Sequence, residues 1–445
     1  MASNLKSRLQ RIRSMTQEEA VRKVFPSTEN SAKETISESA SGFGDEWIAR
    51  AYKVLKRSIV SSIDFDVPQV LPDELKVLVP DFMRRGHNMF PESNTLTETT
   101  HPANCRVVDF MRWGHRKSIA PEDLLFFDLE TTGLSGGAGT VAFLAALGFF
   151  VPSKKESCYK LQIDQYLLLD YPGEPEFLET IIPILNDDKK IIVTYNGKSF
   201  DTKLFRTRCL MNGMKPPVYE EADLLHPARR LWKNILQNCS QAEIETSILG
   251  LDRTGDISGA FAPQIWFDYL NSQNPAELLK MCDHNTKDIE GLASIFSLIS
   301  KISAHPLETL AHYRFDIEAA ALRWRDCLRL FPDTSLLEKC SEELIHYCVN
   351  EKYPKAMYLF ATDLMKKNFH DEGISLLHEL ADMEIPCSLK ISVLNSLAID
   401  AEWRKKDSIQ ALNHVEALLL MENLSESFRN KTTQRYERLR KKLTF

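Results

Sequence analysis

The sequence predicts an α/β domain built on a mixed β-sheet flanked by helices, followed by an all-α region. Short apolar runs alternate with amphipathic segments between residues 121 and 302. Their order is three strands, then helix, strand, helix, strand, helix, which is the order of a mixed sheet covered by helices. After residue 303 nearly every segment has helical periodicity. With 445 residues, 43% hydrophobic and 26% charged, the chain has the composition of a globular protein of two or three domains.

Residues 1–45 are rich in Ser, Glu and Lys and end in SAKETISESASGFG, which predicts a disordered basic and polar tail. Residues 46–120 form an extension of unknown role, in which WIARAYKVLKRSIV reads as a short strand or a helix and DFDVPQVLPDELKVLVP as Pro-punctuated connectors. LLFFDLE (124–130), VAFLAALGFFV (141–151) and YKLQIDQYLLL (159–169) read as strands. PEFLETIIPILN (175–186) places Phe177, Ile181, Ile182 and Leu185 on one helical face. KIIVTYNG (190–197) is a β-branched strand running into a turn, and SFDTKLFRTRCLMNG (199–213) a helix with a Gly stop. PPVYEEADLL holds one more short strand and HPARRLWKNIL a helix. Residues 275–302 read as a helix, a polar break and a longer helix. In region 303–445, YLFATDLMKKNFHDEGISLLHEL (358–380) weakly matches SLAIDAEWRKKDSIQALNHVEAL (396–418). A period of about 38 residues suits a TPR-like array of helix pairs, though two ordinary amphipathic pairs would read the same way.

A net charge of −7 excludes a basic nucleic-acid coat. Both ends are locally basic, which reads as solvated chain or as a weak contact to phosphates. The nine cysteines are scattered without a CxxC pair, so neither a zinc site nor a disulfide frame is indicated, and a reducing cytoplasmic setting is expected. No apolar run approaches the ~20 residues of a membrane span, and no apolar stretch follows the basic N-terminus.

Four segments carry candidate chemistry. Asp128 and Glu130 are two apart on a strand, so both side chains point to one face. Two carboxylates held together repel, and a divalent cation such as Mg²⁺ is the simplest compensation. Thr131, Thr132 and Gly133, ahead of Leu134, are small enough for backbone N–H groups to approach an anion. In YNGKSFD, Asn196–Gly197 makes a turn and Ser199 is a plausible helix N-cap, with Asp201 in the first helical turn. Acids favour helix N-termini in any case, so Asp201 alone would equally read as a capping acid. In HNTKD, His284 and Asp288 are four apart and share a helix face beside the apolar Ile289 and Leu292. HPARRLWK offers Arg229 and Arg230 to phosphates, or simply a solvated face. Asp223 reads as a spare acid or as an N-cap.

FDLETTGL, YNGKSFD and HNTKD, in that order on those elements, resemble the three motifs of the DEDD (DnaQ-like) 3′–5′ exonuclease superfamily, whose fold is RNase H-like. SGGAGTVAFLAALG, VTYNGKSFD and DLLHPARRLW are similar to the YprB-like branch of RNase H-like proteins. The resemblance covers about residues 120–300. It implies that Asp128, Glu130, Asp201 and Asp288 hold two Mg²⁺ or Mn²⁺ ions and that His284 is the general base. It also implies that Thr131, Thr132 and Leu134 wedge against the terminal nucleotide; Gly133, Asn196, Lys198, Arg229 and Arg230 are expected, from the residues themselves, to bind the nucleic acid beside them. The His-to-Asp spacing is four, whereas the histidine subclass spaces these residues by five and a tyrosine subclass by four. That spacing leaves two roles for His284, deprotonating the water or only orienting it. Two functions follow: a metal-dependent 3′–5′ exonuclease on single-stranded DNA or RNA, or a nucleic-acid-binding or protein-interaction module whose C-terminal helices hold a partner protein.

Overall fold

The computed structural model describes residues 42–67, 119–133, 139–155, 158–330 and 335–444. The tail before residue 42, most of the predicted extension, and Leu134 lie outside the described residues. The described residues form two compact units. The first holds the sheet and its helices up to Ser294; the second holds residues 224–251 and everything described from Ile295 onward.

In the first unit, one sheet contains β1 (Ile48–Ala51), β2 (Val54–Val60), β3 (Phe65–Asp66), β4 (Leu124–Thr131), β5 (Ala142–Pro152), β6 (Cys158–Leu168), β7 (Ile191–Thr194) and β8 (Glu220–Asp223). Its order is β1-β2-β6-β5-β4-β7-β8, with β3 also on β6. The pairs β4–β5 and β5–β6 are antiparallel, while β4–β7 and β7–β8 are parallel. This mixed RNase H-like sheet is the predicted one, enlarged. WIARAYKVLKRSIV is a hairpin, turned at Lys53 with φ +55°, and β2 pairs with β6 along its length. Three strands from residues 46–120, β1, β2 and β3, are thus part of this sheet.

Alternation decides what each face of β4 does. Leu125, Phe127 and Leu129 join the core formed with α1 (Glu174–Leu185) and α2 (Asp201–Met211), where Phe127 packs edge-on against Phe205 at 6.0 Å. The helix α2 stops at Met211, and the predicted Gly213 follows two residues on with φ +70°. Phe126, Asp128 and Glu130 take the opposite face, toward α6 (Ala276–Ala304), reached after α5 (Ala262–Ser272). The helix α6 lies close to the sheet at Gly148, where an added Cβ would sit 2.6 Å from Ile289 Cγ2.

The polar break predicted within 275–302 does not exist, because α6 is continuous. Asn285 and Thr286 cause no break because their side chains are satisfied: Asn285 donates to Asp128, and the Thr286 hydroxyl donates to the Cys282 carbonyl one turn back.

The second unit is helical, with α3 (Leu225–Trp232), α4 (Gln241–Ser247), α7 (Pro306–Leu310), α8 (Ile317–Leu330) and α9 (Ser335–Asn350) before its C-terminal helices. The self-matching segments are helix hairpins, α10 (Pro354–Lys366) with α11 (His370–Asp382) and α12 (Cys387–Trp403) with α13 (Ser408–Leu419). The aligned positions Tyr358 and Ser396 touch, hydroxyl to hydroxyl at 3.4 Å. A last helix, α14 (Glu426–Leu443), packs on α13 through Leu439 and Val415. Among the described residues no helix is long and apolar enough to cross a membrane.

Candidate active site

Three separated segments converge at one end of β4. Asp128, Glu130 and Thr131 from β4, Asn196 and Asp201 from the β7–α2 turn, and His284 and Asp288 from α6 line one cavity of about 250 Å³. Leu129, Tyr195, Phe200, Gly259 and Ala262 complete its wall. The predicted acids and the histidine are therefore brought together.

The remaining predicted contacts are placed differently. The Thr132 hydroxyl accepts from Val141 N at 2.9 Å, and Thr131 Oγ1 donates to the Gly133 carbonyl, so both serve the hairpin. Among the described residues the lining does not include Thr132, Gly133 or Lys198. Arg229 is exposed and Arg230 half-buried on α3, in the second unit.

The turn that delivers Asp201 is held from below. Asn196 has φ +62°, a left-handed conformation that Asn tolerates. Asp223 at the end of β8 accepts from Asn196 N at 2.8 Å and from Lys198 N at 3.3 Å. It does not cap the helix that follows, whose N-cap Leu224 has no side-chain bond. Ser199 is likewise no cap: α2 begins at Asp201 after Phe200.

The acids are crowded and buried. Asp128 and Glu130 are pushed well above the usual carboxylate range, first by burial and then by each other's neighbourhood: Asp201 and Asp288 act on Asp128, and Asp128, Asp288 and Asp201 on Glu130. Burial, with Glu221 and Asp223, lifts Asp201 to about 7 against backbone hydrogen bonds that pull it down. Glu221, bonded to Thr194 and Thr202, is raised to about 7, again chiefly by burial.

Five groups missed by sequence reasoning support these residues. Asn285 Nδ2 donates to Asp128 Oδ2 at 2.7 Å. Gln165 Nε2 donates to Asn285 Oδ1 at 2.9 Å, and Arg57 Nε donates to Gln165 Oε1 at 2.6 Å. A buried chain thus runs from β2 to the Asp128 carboxylate. Asp256, in LDRTGDISG, faces His284. His284 Nδ1 lies 3.0 Å from Asp256 Oδ2, and His284 Nε2 lies 3.2 Å from Asp288 Oδ2 and 4.0 Å from Glu130 Oε1. Arg253 bridges Asp256 and Asp288 at 2.8 Å each. Burial alone would raise Asp256, but Arg253 and His284 hold it below the usual range. The available signals were a buried-face Asn beside His284 and an Arg and Asp interleaved with glycines; periodicity registers neither.

The donor set, two carboxylates and an imidazole, could hold a divalent cation. Glu130, His284 and Asp288 each offer a ligand atom, all within 4.8 Å of one another. The carboxylates that such an ion would neutralise are those whose charged forms the fold disfavours.

A family model described as RNase_H superfamily matches residues 125–300. "Uncharacterized protein YprB" of Bacillus subtilis (strain 168) is 34% identical over 188 residues, 42% of this chain and 44% of that protein. The chain thus spans less than half the length of that relative. Residues 125–300 thus form an RNase H-like domain, and the chain is similar to YprB over the aligned 188 residues.

Proposed function

We propose that this chain is a metal-dependent nuclease that removes nucleotides from the 3′ end of single-stranded DNA or RNA. The observation that carries the reading is the convergence of Asp128, Glu130, Asp201 and Asp288, with His284, on one cavity. Asp128, Glu130, Asp201 and Asp288 would hold two Mg²⁺ or Mn²⁺ ions. Bound there, the ions would supply Lewis acidity at the phosphoryl oxygens and at the attacking water.

The protein's own groups do the rest. His284 Nε2 orients the water and takes its proton. Asn285 keeps Asp128 pointed into the cavity. Thr131 and the Asn196 turn bound the entry of the chain terminus. Lys198, next to the Asn196 turn, supplies positive charge to the phosphates.

The test is degradation of 3′- and 5′-labelled single-stranded DNA and RNA with Mg²⁺ or Mn²⁺, wild type beside Asp128→Ala. A ladder shortening from the 3′ end, lost in the variant, is expected. A second reading draws on the stacked hairpins α10–α13: a nucleic-acid-binding or protein-interaction module whose helices hold a partner. It predicts oligonucleotide binding without cleavage by either protein.

A further inference from the structure

We propose that Asp256 is a positioning residue that holds the His284 ring with Nε2, not Nδ1, toward the carboxylate cavity. The inference rests on the nuclease reading. It assigns a role to a residue lying between the second and third motifs.

His284 Nδ1 is 3.0 Å from Asp256 Oδ2. An ionised carboxylate only accepts, so Nδ1 carries the proton. That proton stays on the Asp256 side of the ring, which leaves Nε2 turned to the cavity. Nε2 is the atom placed between Asp288 Oδ2, at 3.2 Å, and Glu130 Oε1, at 4.0 Å.

Asp256 is itself anchored at both oxygens. Arg253 binds Oδ2 at 2.8 Å, and Lys287 Nζ lies 3.4 Å from Oδ1. The turn that presents Asp256 is closed by Asp256 N donating to the Arg253 carbonyl, with Gly255 at φ +78°. Arg253 also reaches Asp288 Oδ1 at 2.8 Å, so one guanidinium ties the orienting acid to the acid on the far side of the ring. A histidine four residues before its aspartate needs such an external guide, because helix spacing alone sets where the ring sits and leaves its rotation open.

This reading makes Asp256 neither a metal ligand nor a surface ion pair. Both of its oxygens are engaged by Arg253, His284 and Lys287, and its side chain is 9% exposed.

The test compares full-length wild type with Asp256→Ala and Asp256→Asn. In metal-free protein labelled with ¹⁵N-histidine, with His284→Gln supplying the assignment, the His284 ring is expected to show Nδ1–H in the wild type. That signature should be lost in Asp256→Ala. On a labelled oligonucleotide, kcat should fall ~10–100-fold in Asp256→Ala, with KM and Mn²⁺ affinity within about twofold of wild type. Asp256→Asn keeps an acceptor oxygen and should recover part of the loss; being isosteric, it carries the test if the Ala variant does not fold. An unchanged ring signature, or kcat within about threefold of wild type, overturns the proposal. Loss of Mn²⁺ binding in parallel with kcat also overturns it, by making Asp256 a ligand. If the wild type cleaves nothing, the nuclease reading falls, and the ring signature alone still decides what Asp256 does.

Discussion

Gln165→Leu isolates the buried chain that ends on Asp128. Leu has a similar volume, so the cavity contribution is small. Gln165 is fully buried, as is Asn285, and Arg57 is nearly so. The substitution leaves Asn285 Oδ1 and Arg57 Nε without their partners. The Cys282 carbonyl, which also accepts from Gln165, keeps its bond from Thr286. Each orphaned buried group costs roughly 1–3 kcal/mol, so the loss should be about 2–5 kcal/mol. Arg57 retains its place over the Trp47 ring, 4.9 Å from the centroid, which limits further damage. Its ion pair with Asp283 adds little, since Asp283 is 66% exposed. For a unit of this size the melting temperature should drop by about 5–15 °C. Scanning calorimetry of the metal-free chain measures this, and Mn²⁺ titration measures an accompanying ~10-fold loss of affinity, because Asn285 no longer holds Asp128 in place. A melting temperature within about 2 °C of wild type together with unchanged Mn²⁺ affinity would refute the view that this chain is taut and tied to the site.

Three further outcomes follow from the same physics. Asp201 and Glu221 are raised to about 7 in the folded protein from ordinary values of 3.8 and 4.5, so the fold binds their protons more tightly than the unfolded chain. Metal-free stability should therefore be greatest below pH ~4 for these groups and fall as pH rises through about 7; chemical denaturation across that range checks it, and divalent ions should stabilise more at pH 8 than at pH 5. Asp201→Asn should raise metal-free stability by ~1–3 kcal/mol while abolishing metal-dependent cleavage, read by calorimetry and the oligonucleotide assay. Gly148→Val should destabilise by ~1–3 kcal/mol, because its Cβ would meet Ile289 at 2.6 Å and Phe126 at 3.2 Å.

Much of the sheet was legible because burial leaves a mark on composition. LLFFDLE and KIIVTYNG are β4 and β7 because apolar, β-branched runs closed by acids or turns have few other uses. The three motif segments could be ordered along the chain for the same reason. Other features were hidden by physics that acts only after folding. The strand β2 reads VLKRSIV, and its Arg57 looks like a surface charge until Gln165 and Trp47 are placed beside it. The helix α6 looks broken because Asn285 and Thr286 are polar; it is whole because one bonds the sheet and the other bonds its own backbone. Asp256 lies in a loop with no periodicity, so nothing in its local sequence points to His284. Asp223 was read as a cap because it precedes a helix, yet its carboxylate serves the parallel neighbour strand's turn.

The distribution of charge around the cavity gives the site its direction. On one side, Arg253 and Lys287 meet Asp256 and Asp288, and this flank is neutralised within the protein. On the other, Asp128, Glu130 and Asp201 face one another with hydrogen bonds from Asn285 and the backbone but without a described salt bridge to an arginine or lysine. A fold that needed these acids only for stability would have done better with amides, since Glu130 and Asp201 are buried, Asp128 is half-buried, and burial and neighbouring carboxylates raise all three. The asymmetry is intelligible if the positive charge that the carboxylate flank lacks comes from outside. Asp128, Glu130 and Asp201, together with Asp288, would hold that charge, while Asp256 and Arg253 hold the His284 ring from the other side.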